Sequence, residues 1–451
     1  MTNLLTRLYW SAYTGWHLLA QRRYPFAAPE RIARDRDRNV RRIVRYAYRW
    51  VPYYHETMDR LGLRPADFRT ADDLRRLPPI TVSDLQRNPQ AFRSTQFSDQ
   101  DVLCVGSGGS KGAPHYVWHD TAALLRSATH SQRDIAVAHK AIGHPGPYRE
   151  VSLASPSGSA VEVRRFTRER ALYPRRLPIE RVTLSLIDPP EVNVPHLNAR
   201  QPDILRSYGS YLGRMFSYIR ESGVDFYRPA VIVYSSEAVP EAARRLINDE
   251  FGIALFGLYQ SIEAFKMGFE CEAHRGYHIN ADCYVLRVVD EAGHDVPVGE
   301  TGEALVSNLI NRGMVLLNVR LGDMVRWLPP RPCPCGRTLP MIDYVQGRAQ
   351  EWIRLPDGAM LHPQLISAAL FTLGEVYRYQ VVQRAPDLFE LRLVAMPGVD
   401  QEALAERARR SLESTVGHGA RFVVRFVDEL EITAEGKTRA VIGLGGNGLT
   451  P

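Results

Sequence analysis

Two stretches of this chain combine residue types that handle anions and metals. The first is Val105-Gly106-Ser107-Gly108-Gly109-Ser110-Lys111-Gly112-Ala113-Pro114. Its glycines accept φ > 0, so successive backbone N–H groups can turn inward as an anion nest, with the hydroxyls of Ser107 and Ser110 and the Lys111 ammonium beside them. That is the chemistry of a phosphate cradle, although the same composition also suits an ordinary surface turn. It is not a Walker loop, in which the lysine is followed directly by Ser or Thr and a helix, because Lys111 precedes Gly112 and Pro114 lies close behind. The second stretch is Cys333-Pro334-Cys335-Gly336, with Cys271 and His278 upstream. Three thiolates and an imidazole form a ligand set that Zn²⁺ takes in structural sites. The Cys-x-Cys spacing is not that of the usual knuckle, so a loop of free thiols is the alternative, and His274 rivals His278 for the imidazole place.

Periodicity supplies the elements that must position these groups. Leu4, Leu5, Leu8 and Tyr9 recur at helical spacing, as do Ile43, Val44, Ala47 and Tyr48, and residues 1–100 read as a helical N-terminal region with Thr81 or Ser83 capping a helix. Such a region suits a lid or an oligomer surface, which would make a homodimer. From 101 to about 346, short apolar runs (182–187, 230–234) alternate with amphipathic stretches expected to be helices (202–222, 240–251). That is the pattern of βαβ units around a mainly parallel sheet. Ligands in such sheets sit at the carboxyl ends of strands, which brings Ser235-Ser236-Glu237 and the segment after Phe256 to one crevice. After Tyr284 the period becomes two, with a turn at 290–293, and indicates an antiparallel subdomain. Beyond Gly347 the pattern is that of a small α+β unit. It has a hairpin at Pro356-Asp357-Gly358, helices over 363–373 and 401–415, and strands over 378–384, 389–395 and 422–426. The expected fold class is therefore α/β. A large N-terminal domain, 1–346, holds mainly parallel sheets plus the antiparallel subdomain, and a small mobile α+β domain spans 347–451.

Composition narrows the function. Hydrophobic residues make up 45% of the 451 and charged residues 24%, so the chain has an ordinary globular core and is not disordered. No run of about 18 apolar residues is present to span a membrane. Five cysteines are too few for a disulfide framework, which points to the cytoplasm, and Cys104 and Cys283 are expected to be buried as small apolar residues. The net charge is +7, with a dense arginine run over 31–49. Without a recognition motif this run reads as a solvated helix face rather than a nucleic-acid surface. A basic surface equally suits an anionic cofactor such as coenzyme A, or an acidic carrier protein.

The order of motifs along nearly the whole chain resembles the adenylate-forming acyl-CoA ligase superfamily, in its branch of phenylacetate-CoA ligase and capsular-polysaccharide-biosynthesis relatives. The matching residues are Val51-Pro-Tyr-Tyr54, Leu77-Pro78, the phosphate loop, Arg206 to Leu212, Ser236-Glu237, Tyr259-Gln-Ser-Ile-Glu263, Gly322-Asp323, Gly347-Arg348 and Gly436-Lys437. The resemblance implies that a carboxylate attacks the α-phosphorus of ATP, pyrophosphate leaves, and the acyl adenylate passes to the thiol of coenzyme A. It also assigns roles. Ser107, Gly108, Gly109, Ser110, Lys111 and Gly112 would hold the β- and γ-phosphates, Glu263 would coordinate Mg²⁺ and Ser261 would donate to the α-phosphate. Tyr259 would stack on adenine beside Ser236 and Glu237, Asp323 would accept the ribose hydroxyls and Arg348 would reach the nucleotide. Lys437 would neutralise carboxylate and α-phosphate together, and the small domain would swing about Gln350. Related proteins also carry a Cys-Pro-Cys-Gly with an upstream Cys and His, which implies a structural Zn²⁺ on Cys271, His278, Cys333 and Cys335. Two departures stand out: Lys111 occupies a place that usually holds a hydroxyl, and Gln260 replaces the glycine after the stacking tyrosine, which favours a small, polar or amide-bearing acid. Two alternatives are transfer of the acyl group to an amine, another nitrogen nucleophile or a carrier-protein thiol, and a degenerate nucleotide-binding protein. Joint retention of Glu263, Asp323, Arg348 and Lys437 argues against the last.

Overall fold

The computed structural model describes residues 3–107, 115–155, 158–172, 179–239, 241–345, 347, 351–356, 360–361, 363–371, 373, 375–396, 398–417, 419–428, 430 and 440–444. The helical spacing at the front of the chain becomes α1 (Leu4–Leu18), α2 (Pro29–Trp50), α3 (Pro52–Arg60) and the short α4 (Val82–Arg87). Each start has a local cause. Asn3 accepts from the Thr6 N–H ahead of α1, and prolines open α2 and α3. Thr81, not Ser83, caps α4 through a reciprocal capping box with Asp84. The apolar face of α2, with Val40, Ile43, Val44 and Ala47, packs into one core with Tyr54, Met58, Phe68, Leu74 and residues 314–317. This part of the N-terminal region is therefore built into the large unit.

A hairpin follows, β1 (Val102–Gly106) antiparallel to β2 (Tyr116–Asp120), and Asp120 caps α5 (Thr121–Ile142) by accepting from the Ala123 N–H. The expected alternation then unfolds as β3 (Tyr148–Ala154), α6 (Ser159–Arg170), β4 (Ile179–Ser185), α7 (Pro190–Arg200), β5 (Ile204–Tyr208), α8 (Gly209–Ser222), β6 (Val231–Ser235) and α9 (Glu241–Arg245). It continues with β7 (Ala254–Ser261), β8 (Phe265–Glu270), β9 (Tyr277–Ile279), β10 (Tyr284–Val289), β11 (Thr301–Asn308), β12 (Val319–Arg326) and β13 (Met341–Ile342). Eight strands form one sheet in the order β13-β9-β8-β7-β6-β5-β3-β4. It is parallel from β4 to β7 and antiparallel from β7 to β13. Strands β10, β11 and β12 make a separate sheet, as the period-two pattern requires.

Two expectations are corrected. Residues 202–222 are not one helix. Ile204 and Leu205 pair with Val231 and Ile232 on one side and β3 on the other, so sheet completion claims 204–208 and the helix begins only at Gly209. Cys283 is buried but Cys104 is exposed: a two-stranded ribbon is not covered along its whole length, and of β1 only Val102 and Val105 are buried.

The chain divides into two compact units, the first built on Met1–Ser107, Pro114–Leu321 and Val325–Tyr344, the second chiefly on Val345–Pro451. The second contains β14 (Ile353–Arg354) paired with β15 (Met360–Leu361), α10 (Pro363–Phe371), α11 (Gln401–Val416) and a four-stranded sheet. That sheet runs β18-β17-β16-β19, from β16 (Val376–Ala385), β17 (Leu388–Ala395), β18 (Arg421–Phe426) and β19 (Val441–Ile442). Its core is closed by Ile366, Leu370, Val381, Phe389, Leu391 and Leu412. Asp357 and Gly358, at the tip of the expected hairpin, lie outside the described residues.

The parallel sheet carries a buried ionic tie. Glu150 on β3 accepts from Arg181 on β4 at 2.8 Å and Arg206 on β5 at 3.0 Å. Burial pushes its carboxyl up, but the two guanidiniums outweigh burial and hold it at about 2. A folded-state value below the unfolded one stabilises the protein above the unfolded pKa, and this contribution fades as pH falls toward about 2. Glu150→Gln should therefore be less stable than the parent near neutral pH, with a gap that narrows in acid. Urea unfolding at about pH 7 and about pH 3 reads this, and a gap that widened in acid would contradict it.

Candidate active site

The parallel register aligns the carboxyl ends of β5, β6 and β7, with Tyr208 opposite Ser235 and Tyr234 opposite Gly257. Ser236, just past β6, is held at φ +70°, an unusual conformation for a residue with a side chain. The Glu237 carboxylate accepts from the Ser210 N–H at the start of α8. Gly209 makes this approach feasible, since a Cβ there would lie 2.3 Å from the Ala238 oxygen and 2.6 Å from that of Glu237. Beside them on β7, Tyr259 is buried with its ring 6.0 Å from that of Tyr277. The β7–β8 register shifts between Tyr259 and Gln260, a bulge at the position where the sequence departs from the usual glycine.

Ser261 ends β7, and Glu263 sits on the turn into β8. Its carboxylate is buried, with Oε1 2.7 Å from His115 Nε2, and its carbonyl accepts from Asn308 Nδ2 at 2.9 Å. The neighbouring Ile262 carbonyl is 2.8 Å from His119 Nε2. Burial pushes the Glu263 carboxyl up, yet the hydrogen bond and charge of His115 outweigh this and lower it, so the group is held ionised. A buried carboxylate kept anionic is the oxygen donor that a Mg²⁺ ion takes.

His115 also connects this turn to the phosphate loop. The Ser107 N–H donates to the His115 carbonyl at 2.8 Å, and the His115 N–H donates to Ser107 Oγ at 3.0 Å, extending the β1–β2 ladder by one step. Ser107 and His115, which flank residues 108–114, are thus paired with each other next to Glu263. Neither histidine was singled out from sequence. Their signal is the alternation His115, Val117, His119, all buried and two residues apart, which places the three on one face of β2.

Gly108, Gly109, Ser110, Lys111, Gly112, Arg348, Gln350 and Lys437 lie outside the described residues. Asp323 is buried midway along β12. Gly347 has φ +91°, which only glycine adopts freely, and its carbonyl accepts from the Met324 N–H.

The carboxylate of Glu270, at the end of β8, is fully buried. It accepts from the Gly257 N–H at 2.6 Å and the Tyr344 hydroxyl at 2.5 Å, and lies 2.8 Å from His274 Nδ1. Gly257 leaves no room for more: a Cβ would stand 2.7 Å from ring atoms of Tyr234 and from the Tyr277 hydroxyl. Gly257→Ala should cost about 1–3 kcal/mol, read as a lowered denaturant midpoint. A neutral change would mean that the tyrosine pair yields.

Pairing of β13 with β9 sets Met341 opposite His278 and brings the 333–335 loop over it. Cys271 Sγ is 3.7 Å from Cys333 Sγ, Cys335 Sγ is 3.3 Å from His278 Nε2, and all four ligand atoms lie within 4.8 Å of one another. A tetrahedral zinc with thiolates at about 2.3 Å would set sulfurs about 3.8 Å apart. His278 Nδ1 faces the Leu339 carbonyl at 3.1 Å, which leaves Nε2 to the cluster. His274 is instead stacked on Phe256 and held by Glu270.

No family model matches the chain. It is 26% identical over 448 residues to phenylacetate-coenzyme A ligase of Thermus thermophilus, covering 92% of this chain and 97% of that one. With the enzyme of the same name from Aromatoleum evansii it shares 23% over 421 residues, 88% and 91% of the two chains. Its fold is similar to 2-hydroxyisobutyryl-CoA ligase in a postadenylation state, with a TM-score of 0.72 at 19% identity over 90% of this chain and 88% of the other. An amide bond synthetase of Marinactinospora thermotolerans matches at a TM-score of 0.52 and 16% identity, over 75% and 68%. The chain is thus similar over nearly its full length to phenylacetate-coenzyme A ligases, and its fold is that of the solved acyl-CoA ligases.

Proposed function

We propose that the protein is an ATP-dependent, AMP-forming acid–thiol ligase that activates a carboxylic acid as its acyl adenylate and transfers the acyl group to coenzyme A. The observation that carries this reading is Glu263, buried, held ionised by His115, and joined through His115 to the base of the phosphate loop. Bringing a carboxylate to a triphosphate sets two anions together, so the site needs fixed donors and a divalent cation to stabilise the charge that develops. In this reading Glu263 holds Mg²⁺, and Ser107 to Gly112 bind the β- and γ-phosphates. Ser261 donates to the α-phosphate, and Tyr259, Ser236 and Glu237 receive the adenine. Motif order assigns the ribose hydroxyls to Asp323, a nucleotide contact to Arg348 and the reacting oxygens to Lys437. Residues 1–346 act as the nucleotide- and acyl-binding domain, and 347–451 act as the mobile domain turning about Gln350, with Gly347 supplying backbone freedom. Cys271, His278, Cys333 and Cys335 hold a structural Zn²⁺.

A second acceptor deserves its own assay arm, because an amide bond synthetase shares this fold. Pyrophosphate release from ATP-Mg²⁺ is measured over a panel of carboxylic acids, with coenzyme A, with amines, and with neither. Release that depends on one acid, with a thioester formed only when coenzyme A is present, is the expected result. Amide formation without thioester would move the acceptor to nitrogen, and ATP binding without release for any acid would favour the degenerate reading.

A further inference from the structure

A cavity of the first unit, about 1900 Å³, is bounded by α1, α2, the start of α5, α6 and the 309–312 loop, outside the residues assigned to the nucleotide. Its lining holds eight arginines and only three carboxylates. Two of the carboxylates are held by backbone and hydroxyl donors, Asp120 accepting from the Ala123 and Arg312 N–H groups and Asp101 from Ser98, while Glu169 lies 4.0 Å from Arg170 within the lining. Arg42, Arg126, Arg165 and Arg168 have no carboxylate at ion-pair distance among the described residues, and Arg7 Nε is buried without a partner. Arg164, with Arg168 and Arg181 close by, is made less basic by burial and by its like-charged neighbours. Trp10, Tyr13 and Phe97 supply apolar wall between the guanidiniums.

Unpaired, clustered guanidiniums in a half-enclosed cavity repel one another and favour a ligand that brings several negative charges, since Arg binds carboxylate and phosphate oxygens in bidentate fashion. Two residues of the lining are chain neighbours of residues that hold the Glu263 turn. Asp120 directly follows His119, which holds the Ile262 carbonyl, and Leu309 follows Asn308, which holds that of Glu263. We infer that this cavity receives the far end of an acid substrate bearing a second anionic group, a carboxylate, phosphate or sulfate, on a body small enough for the aromatic wall. This assignment of substrate class rests on the ligase reading above.

Binding and turnover are tested separately. Calorimetric titration of tricarballylate into the full chain, without ATP, is compared between the parent and Arg165→Ala/Arg168→Ala, with folding checked by thermal unfolding. Salt-sensitive binding weakened roughly tenfold or more in the variant is expected. Absence of binding, or equal binding, would overturn the anion site whatever the enzyme's reaction. In the second arm, kcat/KM for pyrophosphate release is compared within matched pairs such as glutarate with butyrate and terephthalate with benzoate. The parent should prefer the dianion, and the preference ratio should fall roughly tenfold or more in the variant. An unchanged ratio would overturn the substrate assignment. So would a defect that appears only in thioester formation with coenzyme A and vanishes with dephospho-coenzyme A, which would transfer the cavity to the acceptor's phosphate.

Discussion

Lys437→Ala should lower acyl adenylate formation by roughly 10²-fold or more, because in the proposed role a single ammonium between the attacking carboxylate and the α-phosphate offsets charge on both reactants as the bond forms. The loss falls on kcat and kcat/KM together, as expected for an interaction made in the transition state. Thioester formation from chemically prepared acyl adenylate and coenzyme A should survive in the same variant, since that step no longer joins two anions. Exchange of labelled pyrophosphate into ATP, beside thioester release from the prepared adenylate, separates the two half-reactions. Equal loss in both would make Lys437 a structural residue, and no loss in either would place the catalytic cation elsewhere.

If Cys271, His278, Cys333 and Cys335 hold zinc as proposed, Cys335→Ser should remove it and, with it, much of the stability of the β9–β13 edge. The parent should contain about one zinc per chain by elemental analysis. Structural zinc sites bind with an apparent free energy of roughly 10–16 kcal/mol in small peptides, which sets a ceiling, and losing one of four ligands forfeits a few kcal/mol of it. The thermal midpoint should drop, and a chelator should drop the parent toward the variant. Because the ligands lie on β9, the end of β8 and the 333–335 loop, the damage should spread to Tyr277 and Tyr344, which pack together beside Glu270. A metal-free parent as stable as the loaded one would reduce the cluster to a loop of thiols.

Much of this arrangement is legible in the chain itself. The βαβ alternation, the period-two stretch after Tyr284 and the small α+β unit all follow from patterns that secondary structure must satisfy locally. The strand at 204–208 does not, because Ile204-Leu205-Arg206-Ser207-Tyr208 has no decisive period and becomes a strand only by filling the gap between β3 and β6. The placement of Ser236, Glu237, Tyr259, Ser261 and Glu263 toward the ends of β6 and β7 is legible, since apolar runs mark those strands and ligands gather at strand ends in parallel sheets. His115 and His119 were not, because their value lies in contacts with residues 148 and 143 positions away, which no local pattern encodes. The cysteine cluster shows the same division. Its composition is evident in sequence, but the choice of His278 over His274 depends on the pairing of β13 with β9.

In the proposed reaction the acid's own carboxylate attacks the α-phosphorus of ATP. It is tested most directly by supplying an acid accepted in the panel with oxygen-18 in both carboxylate positions and weighing the products. Attack at the α-phosphorus leaves one labelled oxygen in AMP and none in pyrophosphate, and this is the expected outcome. Label in inorganic phosphate together with ADP would mean attack at the γ-phosphorus, and unlabelled AMP would mean that water, not the acid, had cleaved ATP; either would contradict it.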